Sequence, residues 1–251
     1  MARKKTKTIL ITTVIAVVVI LSASFLITKD GSAPGLNNSE QTNRNENNAE
    51  PTNDQPAAFD KSLHSTSEPA SLWVVVNKKR PLPSSYVPAN LSNASGVSMK
   101  QDAATATKQL IAGATNGGVS LKAISGYRSY ASQQSVYNSY VQSDGQADAD
   151  TYSARPGHSE HQTGLAADLG NSSGTCDLEI CFENTAGGKW LKAHAHEYGF
   201  VIRYPKGKTS VTGYQYEPWH IRYVGKELAA ELNKSGQTME EFFGLPAAPG
   251  Y

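Results

Sequence analysis

The distribution of hydrophobic and polar positions divides the chain near residue 70. Positions 8–27 contain no charged residue and consist mainly of Val, Ile, Leu and small residues. Positions 28–70 are rich in Asn, Ser, Glu, Pro and Gly and contain few large apolar side chains. Beyond them, segments that alternate like strands and segments with helical spacing recur. The pattern predicts one folded domain at 71–251, preceded by a polar segment and an apolar one.

The folded part mixes the two kinds of periodicity. Alternating, β-branched and aromatic runs predict strands, and these lie at 71–77, 119–126, 166–169, 200–204 and 220–224. Helical spacing predicts helices at 99–114, 132–141, 186–198, 226–232 and 238–243. We also expect a polar loop over the site at 145–153 and a hairpin turn at 205–208 that leads into 211–216. Strands mixed with helices in this way indicate the α+β class.

The beginning of the chain has the pattern of a membrane anchor. Residues 1–7 are basic, and the apolar run at 8–27 would form a helix of about 30 Å, which matches a bilayer core. The basic flank favours the cytoplasmic side, so we expect a single-pass protein of the cell membrane with its domain outside the cytoplasm. A cleaved signal peptide is the alternative. The composition of 28–70 predicts a disordered, flexible linker.

Charge and cysteine content narrow the possible partners and the compartment. The formal net charge is +1, so binding to nucleic acid has no electrostatic support. The two cysteines, Cys176 and Cys181, are five positions apart. In an extracytoplasmic domain such a pair predicts a local disulfide, and a role as metal ligands is the alternative.

Two segments carry candidate metal ligands. Alternation along the strand at 166–169 directs Asp168 away from the apolar face, and His161 lies in the turn before it. The strand at 220–224 begins with His220, and Glu217 lies in the turn that precedes this strand. Two histidines and one aspartate suit a catalytic zinc with an open fourth position, which leaves Glu217 free to act as a base. His158 is the alternative ligand to His161.

Three motifs resemble those of the VanY-type zinc D-Ala-D-Ala carboxypeptidases, which belong to the M15 peptidases together with related L,D-carboxypeptidases. The motifs are SGYRS at 125–129, SEHQTGLAAD at 159–168 and EPWH at 217–220. They occur in order, and the resemblance extends from about residue 73 to the C-terminus. It implies a small antiparallel sheet surrounded by helices, with the zinc site on the face of the sheet.

The resemblance also implies specific roles. One zinc ion per domain would be bound by His161, Asp168 and His220, with Glu217 as the catalytic carboxylate and Arg128 near the reacting carbonyl. Substrate-binding positions complete the predicted site: Ser159, Gln133, Tyr127, His158 and Trp219. We therefore expect a D,D-carboxypeptidase that removes the C-terminal D-alanine of peptidoglycan stem peptides. The alternatives are L,D-cleavage of tetrapeptide stems, an endopeptidase, and a non-catalytic zinc module that binds the cell wall.

Overall fold

The structure is a computed structural model and describes residues 58–251. The predicted basic flank at 1–7, the predicted membrane span at 8–27 and most of the predicted linker lie outside the described residues. Across 58–251, none of the helices combines the length and the apolar character that crossing a membrane requires.

Helices and short strands alternate along the described chain. The strands are β1 (Leu91–Ala94), β2 (Val97–Lys100), β3 (Leu121–Ser125), β4 (Ala166–Asn171), β5 (Phe200–Ile202) and β6 (His220–Tyr223). The α-helices are α1 (Gln101–Asn116), α2 (Tyr130–Asp144), α3 (Gln146–Tyr152), α4 (Ala186–His194), α5 (Thr209–Thr212), α6 (Lys226–Ser235) and α7 (Met239–Phe243). Short 3₁₀-helices lie at Glu160–Thr163, Ile180–Asn184 and Ala195–Tyr198. The predicted α+β class is confirmed.

A four-stranded antiparallel sheet with the order β3-β4-β6-β5 forms the centre of the domain. Its register places Asp168 of β4 directly opposite His220 of β6. Because side chains alternate between faces, Leu169 and Ile221 point to the other side of the same strands. There they are fully buried with Leu110, Ala103 and Ala114 of helix α1 in the main hydrophobic core. One face of the sheet therefore carries the core and the other carries the polar site.

The segment 71–77 is not the predicted strand, although it is largely buried. Its backbone bonds to side chains and loops instead of a ladder: the carbonyls of Leu72 and Val74 accept hydrogen bonds from the Arg222 guanidinium at 3.0 and 2.8 Å. The Val75 amide donates to Thr66 O at 3.0 Å. A continuous apolar run at 72–76 is consistent with this burial, but hydrogen bonds to Arg222 and to Thr66 take the place of a strand ladder.

Two further local predictions were wrong, and one hairpin was not predicted. The predicted loop at 145–153 is helix α3, which is held to α2 by a 2.8 Å hydrogen bond from Tyr137 Oη to Asp150. The segment 211–216 forms no strand, since α5 occupies part of it and ends at Gly213 with a φ of 85°. The β1–β2 hairpin turns at Ser95 and Gly96, which both have positive φ, as type I′ turns require.

The folded part begins before the predicted boundary at residue 71. The Phe59 ring stacks on Trp73 with 5.4 Å between centroids, and His64 packs edge-on against the same indole. The indole is itself 2% exposed and donates to Val224 O at 2.9 Å. Residues of the predicted linker therefore contribute to a second hydrophobic cluster with helices α6 and α7.

Candidate metal centre

His161 is oriented by a backbone carbonyl that directly follows β3. It lies in the 3₁₀-helix Glu160–Thr163, which ends at Gly164 in the left-handed region with a φ of 69°. His161 Nδ1 lies 2.6 Å from Gly126 O, and Nε2 lies 3.2 Å from Asp168 Oδ2. A carbonyl oxygen only accepts hydrogen bonds, so Nδ1 is the donor to Gly126 O. Nε2 is therefore the ring atom that faces the Asp168 carboxylate and is available to a metal ion.

A compact, buried group is formed by His161, Asp168 and His220, which are 6%, 6% and 3% exposed. We call these three residues the metal group. His220 Nδ1 lies 3.0 Å from Asp168 Oδ1, and one donor atom from each residue lies within 4.8 Å of the others. Two ligand atoms about 2 Å from a tetrahedral ion are roughly 3.3 Å apart, so a small inward movement suffices for shared coordination. The nitrogen, nitrogen and oxygen donors thus fit a zinc ion.

The charges within this group also fit a metal site. Burial raises the pKa of Asp168, but the facing His161 and His220 more than offset this and hold that pKa well below its usual value. Burial lowers the pKa of His220, yet hydrogen bonds with Asp168 and Glu160 raise it to about 10. A metal ion bound here has to displace a proton from His220, so loading releases protons.

A buried ionic network beneath His220 was not predicted from the sequence. Glu160 Oε2 lies 3.4 Å from His220 Nε2, while Oε1 accepts from Arg203 Nε at 2.8 Å and Arg222 Nη1 at 2.7 Å. Arg203 also pairs with Glu240 at 2.6 Å, and all four charged side chains of this network are fully buried. Because Glu160 accepts from Nε2, Nδ1 is the His220 atom that faces Asp168. The one signal in the sequence was strand parity, which puts Arg222 on the same face as His220.

Glu217 and Arg128 line an open cleft of about 250 Å³ above the group. Glu217 Oε2 lies 3.8 Å from His220 Nδ1. Burial, reinforced by Asp168 and Glu160, raises the pKa of Glu217 to about 8 although His220 opposes the shift. Arg128 donates to Gln133 Oε1 at 2.9 Å and to Ser125 Oγ at 3.0 Å, which fixes its guanidinium at the end of β3.

The remaining predicted substrate-binding residues divide into two sets. Ser159, Gln133 and Trp219 line the cleft. Tyr127 and His158 lie outside the cleft wall. His158 Nδ1 bonds to Asn77 O at 3.0 Å and its ring packs on Tyr251, so the structure does not bring it to the metal group. Sequence spacing alone could not distinguish His158 from His161.

The predicted disulfide between Cys176 and Cys181 is present, with 5.6 Å between their Cα atoms. It closes a loop that follows β4, the strand that carries Asp168. The alternative role of the two cysteines as metal ligands is thereby excluded in this state, since both sulfurs are bonded to each other.

Two histidines and one aspartate are buried together beside a further carboxylate in an open cleft. This is the arrangement that a catalytic zinc site requires. A family model described as VanY: D-alanyl-D-alanine carboxypeptidase matches residues 96–226. The chain therefore belongs to the VanY family of carboxypeptidases.

Individual relatives agree with this assignment. The protein YodJ of Bacillus subtilis (strain 168) is 39% identical over 191 residues, covering 72% of this chain and 70% of YodJ. The solved structure of the LdcB LD-carboxypeptidase is 40% identical, with a TM-score of 0.66 over 70% of this chain and 87% of LdcB. A mutant of the vancomycin-resistance D,D-pentapeptidase VanY, in complex with Zn(II), is 32% identical, with a TM-score of 0.60 over 70% and 99% of the two chains.

Proposed function

We propose that this chain is a zinc D,D-carboxypeptidase that removes the C-terminal D-alanine from peptidoglycan stem peptides. The observation that carries the proposal is the convergence of His161 Nε2, Asp168 and His220 Nδ1 below a cleft that Glu217 and Arg128 line. These three side chains would hold one zinc ion per domain. A zinc ion at this position would polarise the scissile carbonyl and lower the pKa of a coordinated water to about 7.

The residues of the chain have distinct tasks in such a hydrolysis. Glu217 accepts a proton from the attacking water while the oxygen of that water bonds to the carbonyl carbon. When the carbon–nitrogen bond breaks, Glu217 delivers that proton to the nitrogen of the leaving D-alanine. Arg128 donates hydrogen bonds either to the carbonyl oxygen or to the terminal carboxylate, and its planar guanidinium suits both.

A second candidate is L,D-cleavage, in which an L-residue precedes the scissile bond of a tetrapeptide stem. It is supported by the higher identity to the LdcB LD-carboxypeptidase, 40%, than to the D,D-pentapeptidase VanY, 32%. Both reactions release D-alanine by the same steps. They differ in the length of the stem and in which residue the cleft accepts before the scissile bond.

The location is also part of the proposal. The basic flank at 1–7 and the apolar run at 8–27 support a single-pass anchor with the domain on the outer side of the membrane, next to its substrate. Separating membranes from medium after expression of the full chain tests this point. Full-length protein in the membrane fraction is expected, and mature protein in the medium that starts near residue 29 would contradict an uncleaved anchor.

Mass spectrometry of products from defined tetra- and pentapeptide stems tests the activity. We expect zinc-dependent loss of one D-alanine, and the better substrate identifies the D,D or L,D preference. The Glu217→Gln variant should lose at least about 10²-fold in kcat while retaining zinc. Glu227→Gln, at an exposed position of α6, is the matched control and should behave like the wild type. Release of D-alanine from neither stem, or cleavage of only cross-linked stems, would contradict the proposal.

A further inference from the structure

Leu178 stands out among the exposed apolar side chains. It is 44% exposed and has a φ of 57°, in the left-handed region that side chains other than glycine rarely adopt. Cys176, two residues earlier, has a φ of 58°. A large apolar residue that is both exposed and held in an unfavourable backbone conformation requires a surrounding structure that imposes it.

The loop that contains Leu178 is fixed to the sheet at several points. The Cys176–Cys181 disulfide closes it. Asp177 pairs with Lys122 of β3 at 2.7 Å and lies over Gly170 of β4, where an added Cβ would be 2.3 Å from Asp177 Oδ1. Phe182, directly after the loop, is completely buried in the main core. The loop is therefore anchored to β3 and to β4, the strand that carries Asp168.

This loop contributes one side of the mouth of the cleft. Leu178 lines the cleft together with Val136 and Tyr140 of α2 and Tyr152 of α3. Tyr140 is 41% exposed, and its ring packs edge-on against Tyr152 with 5.1 Å between centroids. His161, Asp168 and His220 at the floor of the cleft are only 3–6% exposed, whereas Leu178 and Tyr140 at its mouth are 44% and 41% exposed. The cleft therefore has a buried polar floor and an exposed apolar rim. We call Leu178, Val136, Tyr140 and Tyr152 the apolar rim.

A carboxypeptidase holds the C-terminal residue of its substrate at the floor, and the preceding residues leave through the mouth. The apolar rim has no charged side chain, so it suits hydrocarbon groups, either an apolar side chain or the methylenes of a long one. Ile180 provides a contrast within the same loop. It is 48% exposed but lies outside the cleft wall.

We propose that Leu178 is a specificity-determining residue that contacts an aliphatic side chain of the substrate on the N-terminal side of the scissile bond. The Cys176–Cys181 disulfide is then a positioning element that holds Leu178 at the mouth. This inference rests on the proposed function for its substrate. It goes beyond that function because it proposes that a disulfide-closed loop selects the substrate residues that precede the released D-alanine.

Steady-state kinetics on two stem peptides test the assignment. The peptides differ at one position on the N-terminal side of the scissile bond, where one has a long aliphatic side chain and the other has alanine. Leu178→Ala should raise the KM for the first peptide about five- to tenfold and leave kcat and zinc content within twofold. The variant should also lose most of the preference between the two peptides. Ile180→Ala is the matched control and should leave both constants unchanged.

The double variant Cys176→Ser with Cys181→Ser separates the role of the disulfide. We expect a rise in KM in the same direction as for Leu178→Ala, with little further effect when the two changes are combined, because both remove the same contact. A KM for Leu178→Ala within twofold of wild type, or an equal effect of Ile180→Ala, would overturn the inference even when D-alanine is released normally.

Binding measurements keep the inference testable if the wild type shows no turnover. Calorimetric titration of the Glu217→Gln variant, with and without Leu178→Ala, measures the Kd of the intact aliphatic peptide. A five- to tenfold weakening (about 1 kcal/mol or slightly more) would support the rim contact although the proposed reaction had failed. Equal Kd values, or no binding by either variant, would overturn it.

Discussion

Replacing Glu160 with alanine tests the buried ionic network under the metal group. Glu160 is completely buried and accepts hydrogen bonds from Arg203 and Arg222, while its second oxygen faces His220. Arg203 keeps Glu240 as a partner after the change. Among the described residues, Arg222 would keep only backbone carbonyls, those of Leu72, Val74 and Tyr223.

The magnitude follows from the loss of one partner in a buried ion pair, which typically costs about 3–5 kcal/mol because a charge remains unpaired in the interior. We expect Glu160→Ala to lower the free energy of unfolding of the zinc-free domain by that amount. With an m-value of about 2 kcal/mol/M, the midpoint of urea unfolding falls by roughly 2 M. Measuring without zinc separates the ionic network from the contribution of metal binding.

The control is an exposed ion pair of the same chemical type. Lys206 pairs with Glu183 at 3.1 Å, but the lysine side chain is 72% exposed. Glu183→Ala should therefore change the free energy of unfolding by less than about 1 kcal/mol. If Glu160→Ala also lowered the free energy of unfolding by less than about 1 kcal/mol, Glu160 would not be the group that compensates the buried charge of Arg222.

The pH dependence of the same variant gives a second check on Glu160. Burial raises the pKa of Glu160, but Arg222 and Arg203 more than offset it and hold that pKa well below its usual value. A carboxyl group with a depressed folded-state pKa stabilises the fold above its unfolded pKa of about 4.3 and loses this contribution as the pH falls. The part of the stability difference between wild type and Glu160→Ala that comes from the Glu160 carboxylate should therefore narrow below about pH 4.

Two further predictions concern packing. Gly170→Ala should lower the free energy of unfolding by about 1–3 kcal/mol, because the added Cβ would lie 2.3 Å from Asp177 Oδ1 and 2.6 Å from Ile124 Cδ1. Gly250→Ala, which has open space around it, is the control, and equal thermal unfolding of the two variants would contradict the assignment. Phe59→Ala should cost about 1–2 kcal/mol in urea unfolding, because the ring stacks on Trp73. Wild-type stability would instead mean that the domain begins after this residue.

The residues of the metal group were predictable because each one follows from a local pattern. Alternation on β4 separates Asp168 from Leu169, and Pro218 marks the start of the strand that carries His220. The resemblance of three ordered motifs then placed His161 and Glu217 in the same site. The local signals need only neighbouring residues, but the pairing of β4 with β6 is what brings Asp168 and His220 together.

The parts that were missed depend on contacts between distant residues. Glu160 reaches Arg203 and Arg222 across 43 and 62 positions, and no local pattern indicates such pairs. The buried segment 71–77 has the apolar and β-branched composition of a strand, but the carbonyls of Leu72 and Val74 accept hydrogen bonds from Arg222. Helix α3 was predicted as a loop because its sequence is polar, and only its contacts with α2 reveal it.

The central claim is that three side chains from separate elements hold one zinc ion. Diffraction from crystals of the zinc-loaded domain, recorded at the zinc absorption edge, tests it most directly. We predict one anomalous peak about 2.0–2.2 Å from His161 Nε2, His220 Nδ1 and an oxygen of Asp168. No peak at this position, or a peak bound by His158 in place of His161, would contradict the account.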